Sequence, residues 1–469
     1  MKSRSKYLLR NVGILTISNF ASKILVFLLV PLYTSVLSAE EVGIYDLIVS
    51  TVSLFVPLLT VNIVDAVMRF SMDKARSKEE VAVIGIRFIS ISIFIVIIFV
   101  IIISRTEVFN QIKGFELFIT LYYISYIFNN FMIQFSKGLE RIGDMGAAGI
   151  LGTLAMLGAN ILFLIILRRG LSGFFIANIL GQAIPALYLI VRINLWKYIG
   201  TLRTNKILQK EMILYCAPLI ATTVGWWVNN ASDKYVVSFL CGISANGILS
   251  VSYKIPSIIN TLHSIFTQAW QISAVKEYGN QDSSLFYGRA FTMLNVVLSA
   301  ICSWLIILSK PVGRILYQKE FFDAWQYVPF LLISCVLNSA SGFCGSILSA
   351  KKDSKSMAIS ALCGAVANIL MNFGFVYWIG VQGAAIATAI ASFIIYYIRK
   401  KSVEQDIIIQ SYWVAIFTWI LLAVQAVIEI YMSAWWVELG LMMIMCALNW
   451  NYIKEIFFVG LSLIRKENM

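Results

Sequence analysis

Residues 226–271 read WWVNNASDKYVVSFLCGISANGILSVSYKIPSIINTLHSIFTQAWQ, far more polar than the apolar sequence on either side. Trp226, Asn229, Asn230 and Asp233 are three or four residues apart, which places them on one face of a helix. Further on, Ser250, Tyr253, Lys254, Ser257, Asn260, Thr261, Ser264, Thr267, Gln268 and Gln271 recur at helical spacing, with Leu249, Ile255, Ile258, Ile259 and Ile265 opposite. A helix with a polar stripe and a lysine near its middle cannot turn that side to lipid. It must line water or a polar ligand. A single serine is explained by hydrogen bonding between helices. The whole stripe, with Lys254 in it, reads as the wall of a cavity.

The surrounding chain is a membrane protein. Of 469 residues, 59% are hydrophobic and 13% charged, and the mean hydropathy is +0.83. Soluble domains carry about 25% charged residues. The start, MKSRSKYLLRNVGIL, is basic and then apolar like a signal peptide, but the apolar run continues to about Val36 without a small-residue cleavage site. A retained first span is therefore expected. Seven scattered cysteines form no CxxC, so neither a disulfide framework nor a zinc site is suggested.

Apolar runs fall near 12–36, 43–68, 82–104, 115–137, 146–168, 171–193, 212–232, 243–272, 290–308, 325–349, 357–378, 381–398, 412–432 and 436–453. Each is long enough for a hydrocarbon core of about 30 Å. The expected fold is an all-α polytopic membrane protein of about 14 transmembrane helices. With the N-terminus inside, 26 Lys and Arg lie on the cytoplasmic side and 8 outside, and Lys23, Arg87 and Lys254 lie within spans. That asymmetry puts both termini in the cytoplasm and accounts for the net charge of +13 without nucleic acid.

The chain also repeats. GLSGFFIA at 170–177 and GVQGAAIA at 380–387 share GxxGxxIA, and Met145, Gly152, Asn160 and Phe163 match Met357, Gly364, Asn372 and Phe375 at a constant offset. Gly43 in VGIYDL likewise stands opposite Gly247 in NGILSV. Two six-helix lobes in pseudo-twofold arrangement about the membrane normal are expected, a transporter plan. The N-lobe would be 1–193, a cytoplasmic linker 194–211, the C-lobe 212–400, and an accessory helix pair with the C-terminal tail 401–469. Pro31, Pro57, Pro218 and Pro256 fall in the equivalent first pairs of each lobe and predict kinks there.

Lys23 and Lys254 lie near the middle of helices 1 and 8, too deep to snorkel out easily. Asn19 shares the face of Lys23, and Asp65 and Arg69 are spaced for an ion pair. Arg87, close to the start of helix 3, is placed to snorkel. Lys234 and Glu429 lie near helix ends, and the single histidine, His263, suits packing better than a proton relay. Glu40, Glu41, Glu79 and Glu80 fall in short loops, where they would only be solvated. No catalytic constellation, metal cluster or phosphate-cradling GxxxxGK[ST] loop is visible, so no enzyme activity and no cofactor is expected. Transport would draw on an ion gradient, the membrane potential or consumption of the cargo on the far side.

Several segments resemble the oligosaccharide flippases of the polysaccharide transport family. They are NVGILTISNFASKILVFLLVPLYTSVLSAEEVGIYDL near the N-terminus, SDKYVVSFLCGISANGILSVSYKIPSIIN with FTQAWQISAVKEY in the middle, and the late GVQGAAIAT. That family belongs to the MOP superfamily, with lipid II flippases and MATE exporters. The resemblance implies a central cavity walled by helices 1, 2, 7 and 8. It also implies that undecaprenyl-diphosphate-linked oligosaccharide is moved from the inner to the outer leaflet of the bacterial cytoplasmic membrane. Membrane lipids and other polysaccharide assembly proteins would be the remaining partners, the chain acting as a monomer. Lys23 and Lys254 would meet the diphosphate, although lysines stand here where lipid II flippases use arginines. Asn, Ser, Gln and aromatic groups would replace the water of the sugar, since each unpaired hydroxyl costs several kcal/mol in hydrocarbon. The helices after residue 411, with Trp413, Trp419, Trp435, Trp436 and Trp450, resemble an extra pair found in lipid II flippases. A MATE-type ion-coupled drug exporter is the alternative, and it would hold its cationic cargo with carboxylates. A membrane polymerase or glycosyltransferase would need a larger outer loop than 309–324.

Overall fold

A short α1 (Val30–Val36) leads into a reciprocal cap: Glu41 N donates to Ser38 Oγ at 3.2 Å, and Ser38 N to Glu41 Oε2 at 2.9 Å. The cap starts α2 (Ala39–Leu59), and α3 (Ile63–Ser71) follows after a break. Glu41 therefore does structural work, and its Oε1 also accepts Leu171 N at 3.3 Å. Glu79 and Glu80 likewise sit in the first turn of α4 (Lys78–Ser104), where Ser77 Oγ caps Glu80 N, and not in a loop. The first part of the chain continues with α5 (Glu116–Gly138), α6 (Ile142–Asn160), which runs on as a π turn (Ile161–Ile166), and α7 (Gly170–Ile193). The rest comprises α8 (Lys206–Cys241), α9 (Ile243–Ser252), α10 (Ser257–Glu277), α11 (Ser283–Ile307), α12 (Ser309–Leu316), α13 (Val328–Ala350), α14 (Ser354–Ile379), α15 (Val381–Ser402), α16 (Tyr412–Tyr431) and α17 (Trp435–Leu448).

The computed structural model describes residues 25–105, 113–200, 205–278, 282–409 and 411–455. Asn19 and Lys23 lie outside them, and so does the side chain of Gln268. Among the described residues ten helices are long and apolar enough to cross a membrane. The four remaining runs have visible reasons for falling short. The first begins before the described residues. The second, α5, carries Asn129, Asn130, Gln134 and Lys137. The third is broken into α9 and α10, and the fourth, α17, has 14 residues. The chain is an all-helical, multi-pass membrane protein.

It forms two compact units, Met1–Trp227 and Val228–Met469, divided inside the 36-residue α8. In the first, Tyr45 packs on Phe174 and Phe175 at ring distances of 4.6 and 5.2 Å, and Phe131 stacks on Phe135 at 5.8 Å. The outer side of α4 (Ile91, Phe94, Ile98, Ile101, Ile102) is exposed and apolar, as a lipid-facing helix must be. In the second unit α13 is buried along almost its whole length. Trp270 stacks on its Phe343 at 4.2 Å, and Trp419 Nε1 donates to Asn295 Oδ1 at 2.8 Å, fixing α16 to α11.

The prolines act less uniformly than expected. Pro256 lies in a turn, Tyr253–Pro256, that separates α9 from α10. Lacking an N–H, Pro256 cannot continue the ladder to Ser252. After Pro57 the chain breaks at Val61 and Asn62, with φ of +55° and +54°, and Asn62 N reaches back to Pro57 O at 2.7 Å. A β-branched residue in that region is strained. Pro218 and Pro185 stay inside continuous helices.

The repeat is visible in how helices cross. A Cβ on Gly173 would stand 3.0 Å from the Phe163 carbonyl oxygen, and one on Gly383 would stand 2.3 Å from that of Phe375. Asn160 Nδ2 donates to Met156 O at 2.8 Å, and Asn372 Nδ2 to Asn368 Oδ1 at 2.9 Å. Between Phe163 and Gly170 the first copy has two more residues than the second. There α6 ends in the π turn and reverses through Arg168 (φ +48°), whereas α14 reverses on Gly380 (φ +64°).

Candidate functional site

Two polar centres lie within the units. In the first unit Asp65, on α3, accepts Asn62 Nδ2 at 2.8 Å and Gln134 Nε2 at 3.2 Å. Arg69 is exposed and makes no ion pair with it, so the pair expected from their spacing does not form. Two uncharged amides outcompete the guanidinium because the break at Asn62 and helix α5 hold them against the carboxylate. Close by on α5, Asn129 Nδ2 donates to Gln182 Oε1 at 2.6 Å.

The second unit's centre is built on Asp233, only 2% exposed, which accepts the hydroxyl of Tyr253 from the turn between α9 and α10. Its neighbour Ser232 donates to Asn368 Oδ1 at 2.7 Å, the oxygen that Asn372 Nδ2 also reaches. Asn368 and Asn372 are buried, yet Asn368 Nδ2 and Asn372 Oδ1 meet no partner. Asn229 Nδ2 donates to Ala361 O at 3.2 Å, tying α8 to α14. Trp226 is 56% exposed and Asn230 is exposed too. Within the second unit that face is thus open at Asn230 and closed at Asp233, and Trp226 belongs to the first unit.

The stripe of residues 250–271 is split by the same turn. Ser250 belongs to α9 and is buried, donating to Gly247 O at 2.9 Å. Tyr253 and Lys254 stand in the turn, half-buried. From Ser257 onward α10 carries the rest. Periodicity alone ran across the break because a four-residue turn barely shifts the phase. Ser257 Oγ donates to Lys254 O at 2.6 Å, Thr261 Oγ1 to Ser257 O at 2.8 Å, and Ser264 Oγ to Thr261 O at 2.8 Å. These hydroxyls serve their own helix rather than bridging to another. On α10, Asn260, Ser264 and Gln271 are exposed, while Ile255, just before it, and Ile259 are 1% and 0% exposed. The helix is polar outside and apolar inside, the reverse of what lipid selects.

The sequence profile of the family described as polysaccharide biosynthesis protein matches residues 8–271, more than half of the chain. The chain belongs to the polysaccharide biosynthesis protein family. Its fold is similar to that of solved membrane transporters. One is the lipid II flippase MurJ in an inward closed conformation, with 16% identity and a TM-score of 0.65, covering 96% of this chain and 99% of that one. Another is an inward-facing multidrug resistance MATE family transporter of the MOP superfamily, with 14% identity and a TM-score of 0.64, covering 82% and 95%. A third is a MOP superfamily transporter from Pyrococcus furiosus, with 14% identity and a TM-score of 0.56, covering 84% and 95%. No curated protein sequence matches the chain.

In this member of the polysaccharide biosynthesis protein family, sequence reasoning passed over the hydrogen-bonding partners. Gln134, Asn62, Ser232 and Asn368 each hold a carboxylate or an amide in place, and only Asn372 drew notice, through the repeat. His263 is packed against Gly342, with Thr267 Oγ1 3.2 Å from its Nε2, which is the packing role expected of it. Arg87 is exposed and reaches Gln209 at 3.4 Å. Among the described residues no three His, Cys, Asp or Glu side chains group to hold a metal.

Proposed function

We propose that this protein is a flippase that carries undecaprenyl-diphosphate-linked oligosaccharide from the inner to the outer leaflet by alternating access. The observation that carries the reading is the exposed polar face of α10, with apolar residues buried behind it, in a chain of this family. Such a face needs a polar occupant, and a sugar chain offers hydroxyls in the density that Asn260, Ser264 and Gln271 can meet. We take residues 1–193 and 212–400 as the two lobes, 194–211 as the linker and 401–469 as the accessory pair, with both termini cytoplasmic.

In this reading Lys254 stands where the helix opens and is a contact for the diphosphate, together with Lys23. Trp226 and Asn230 contact sugar, while the buried Asp233 suits ion coupling better than sugar contact. The carboxylates Asp65 and Asp233 are both engaged inside their units, which argues against a drug exporter that grips cations with them.

The test is translocation of lipid-linked oligosaccharide in proteoliposomes at matched protein abundance. Lys254→Ala should lose transport, and Lys254→Arg should keep part of it because the charge survives. Equal rates for wild type and Lys254→Ala would remove Lys254 from the mechanism. Transport of cationic drugs without any transport of the lipid-linked sugar would favour the exporter.

A further inference from the structure

Several cations near the ends of the second unit's helices have partners at the surface. Lys400 Nζ meets Glu404 Oε1 at 2.8 Å, Lys351 Nζ meets Asp406 Oδ2 at 2.9 Å, and Lys310 lies over the Trp325 ring and bonds Ser433 Oγ. Arg399 behaves differently. It stands three residues before the end of α15, the end that the charge asymmetry assigns to the cytoplasm, and could extend its head outward into water. Instead the side chain turns back along the helix, the direction in which helical side chains lean. Its Nε donates to Ser360 Oγ at 3.0 Å and its Nη1 to Ser341 O at 3.2 Å.

Ser341 is nine residues from the end of α13 and Ser360 six residues from the start of α14. At 1.5 Å per residue the guanidinium sits on the order of 10 Å inside those helix ends. Both serines are buried, at 1% and 0% exposure. Gly345 completes the recess, since a Cβ there would stand 2.9 Å from Arg399 Nη1. Among the described residues no carboxylate meets Arg399 and no group accepts from its Nη2, and the residue as a whole is half-buried. A charge drawn into a membrane protein without a counter-ion is costly, so a partner is required. Nε and Nη1 are held by the recess, and the two N–H groups of Nη2 have no acceptor among the described residues. That geometry suits the oxygens of a phosphate better than a single acceptor would.

We propose that Arg399, steadied by Ser341 and Ser360, binds the phosphate of a lipid headgroup arriving from the cytoplasmic leaflet. On the flippase reading given above, on which the choice of cargo rests, this is the diphosphate of the lipid-linked oligosaccharide. An anionic phospholipid offers the same chemistry, and the experiment separates the two. Binding of undecaprenyl diphosphate, of phosphatidylglycerol and of uncharged undecaprenol is measured by native mass spectrometry on the full-length protein. Wild type is compared with Arg399→Gln and Arg399→Lys. Gly345→Ala serves as a further variant, because it keeps the charge but crowds the guanidinium out of its recess.

Loss of a charge-assisted contact should weaken binding roughly ten- to a hundredfold in Arg399→Gln, with a smaller loss in Arg399→Lys and in Gly345→Ala. Undecaprenol binding should stay unchanged. A loss confined to undecaprenyl diphosphate upholds the site as a cargo contact. A loss confined to phosphatidylglycerol upholds the phosphate site but overturns the cargo assignment. If wild type itself binds no undecaprenyl diphosphate, the flippase reading fails while the phospholipid arm still tests the site. Unchanged affinity for both phosphate lipids in Arg399→Gln would overturn the proposal. Should that variant not fold, the same result in Gly345→Ala would do so.

Discussion

The crossing of α6 with α7 and that of α14 with α15 are two versions of one construction. In each, a glycine rides on the carbonyl of a phenylalanine, and an asparagine bonds to the residue four before it. They differ in tightness and in chemistry. Gly383 lies closer to Phe375 than Gly173 does to Phe163. Where the first unit has Met156, whose backbone carbonyl takes the bond, the second has Asn368, whose side chain takes it and also accepts Ser232. The two crossings share the packing rule, and they differ in the acceptor, a backbone carbonyl in the first and a side-chain oxygen in the second. The shared positions therefore report on the fold, and the positions that differ point to what each unit does.

The largest effect should come from tightening the tighter crossing. In Gly383→Ala the new methyl would meet backbone atoms of Phe375 at 2.3 Å, and backbone cannot swing aside. A loss of about 3 kcal/mol or more is expected, read as a lower melting temperature in detergent and poor recovery of folded protein. Gly173→Ala makes contacts of 3.0 Å. There the strain is offset by the roughly 1 kcal/mol that alanine gains over glycine in a helix, leaving stability nearly unchanged. Equal losses at the two sites would break the comparison.

A middle-sized effect should follow when the second unit is given the first unit's residue. Asn368→Met removes the oxygen that accepts both Ser232 Oγ and Asn372 Nδ2, in a place where Asn368 is 1% exposed and Asn372 is 0%. Stranding buried donors costs about 1–3 kcal/mol in each case, less what the serine recovers by turning to its own helix. The measurement is the melting temperature alongside transport in proteoliposomes. If transport falls while stability holds, the amides are part of the working site. If stability alone falls, they are only a structural tie.

Much of the fold was legible, because spans are apolar runs and glycine patterns mark crossings. The breaks were harder. Pro256 signalled one and Pro57 stands just before the other, but the place of that second break needs Val61 and Asn62 to take a left-handed backbone, which no periodicity reports. Ser38 and Glu41 carried the capping pattern in plain view, yet their place between two apolar runs suggested a loop. The candidate site was half legible. Its exposed part, Asn260 and Ser264, follows from the stripe. Asp65 and Asp233 were visible as charges, but their partners were not: Gln134 comes from another helix, Asn62 from a break in the chain, and Tyr253 from a turn that periodicity ran across. Arg399 was hidden because a cation near a helix end is normally one more interfacial charge.

The smallest expected effect separates the two kinds of serine. Ser232 reaches across to Asn368 from α8, whereas Ser264, on the exposed face of α10, bonds among the described residues to Thr261 O in its own helix. In Ser264→Ala that carbonyl loses one extra donor and keeps its place in the helix, and no buried group is stranded. The change in stability should stay within about 0.5 kcal/mol. The sign is informative, since the environment of the face decides it. Facing water or a polar cargo, the alanine should be neutral. Facing lipid, removal of a hydroxyl should raise the melting temperature measurably. Packed against another helix through a hydrogen bond, it should lower it by about 1 kcal/mol, as Ser232→Ala is expected to do. A clear rise for Ser264→Ala would return α10 to the lipid and remove the polar face on which the flippase reading rests.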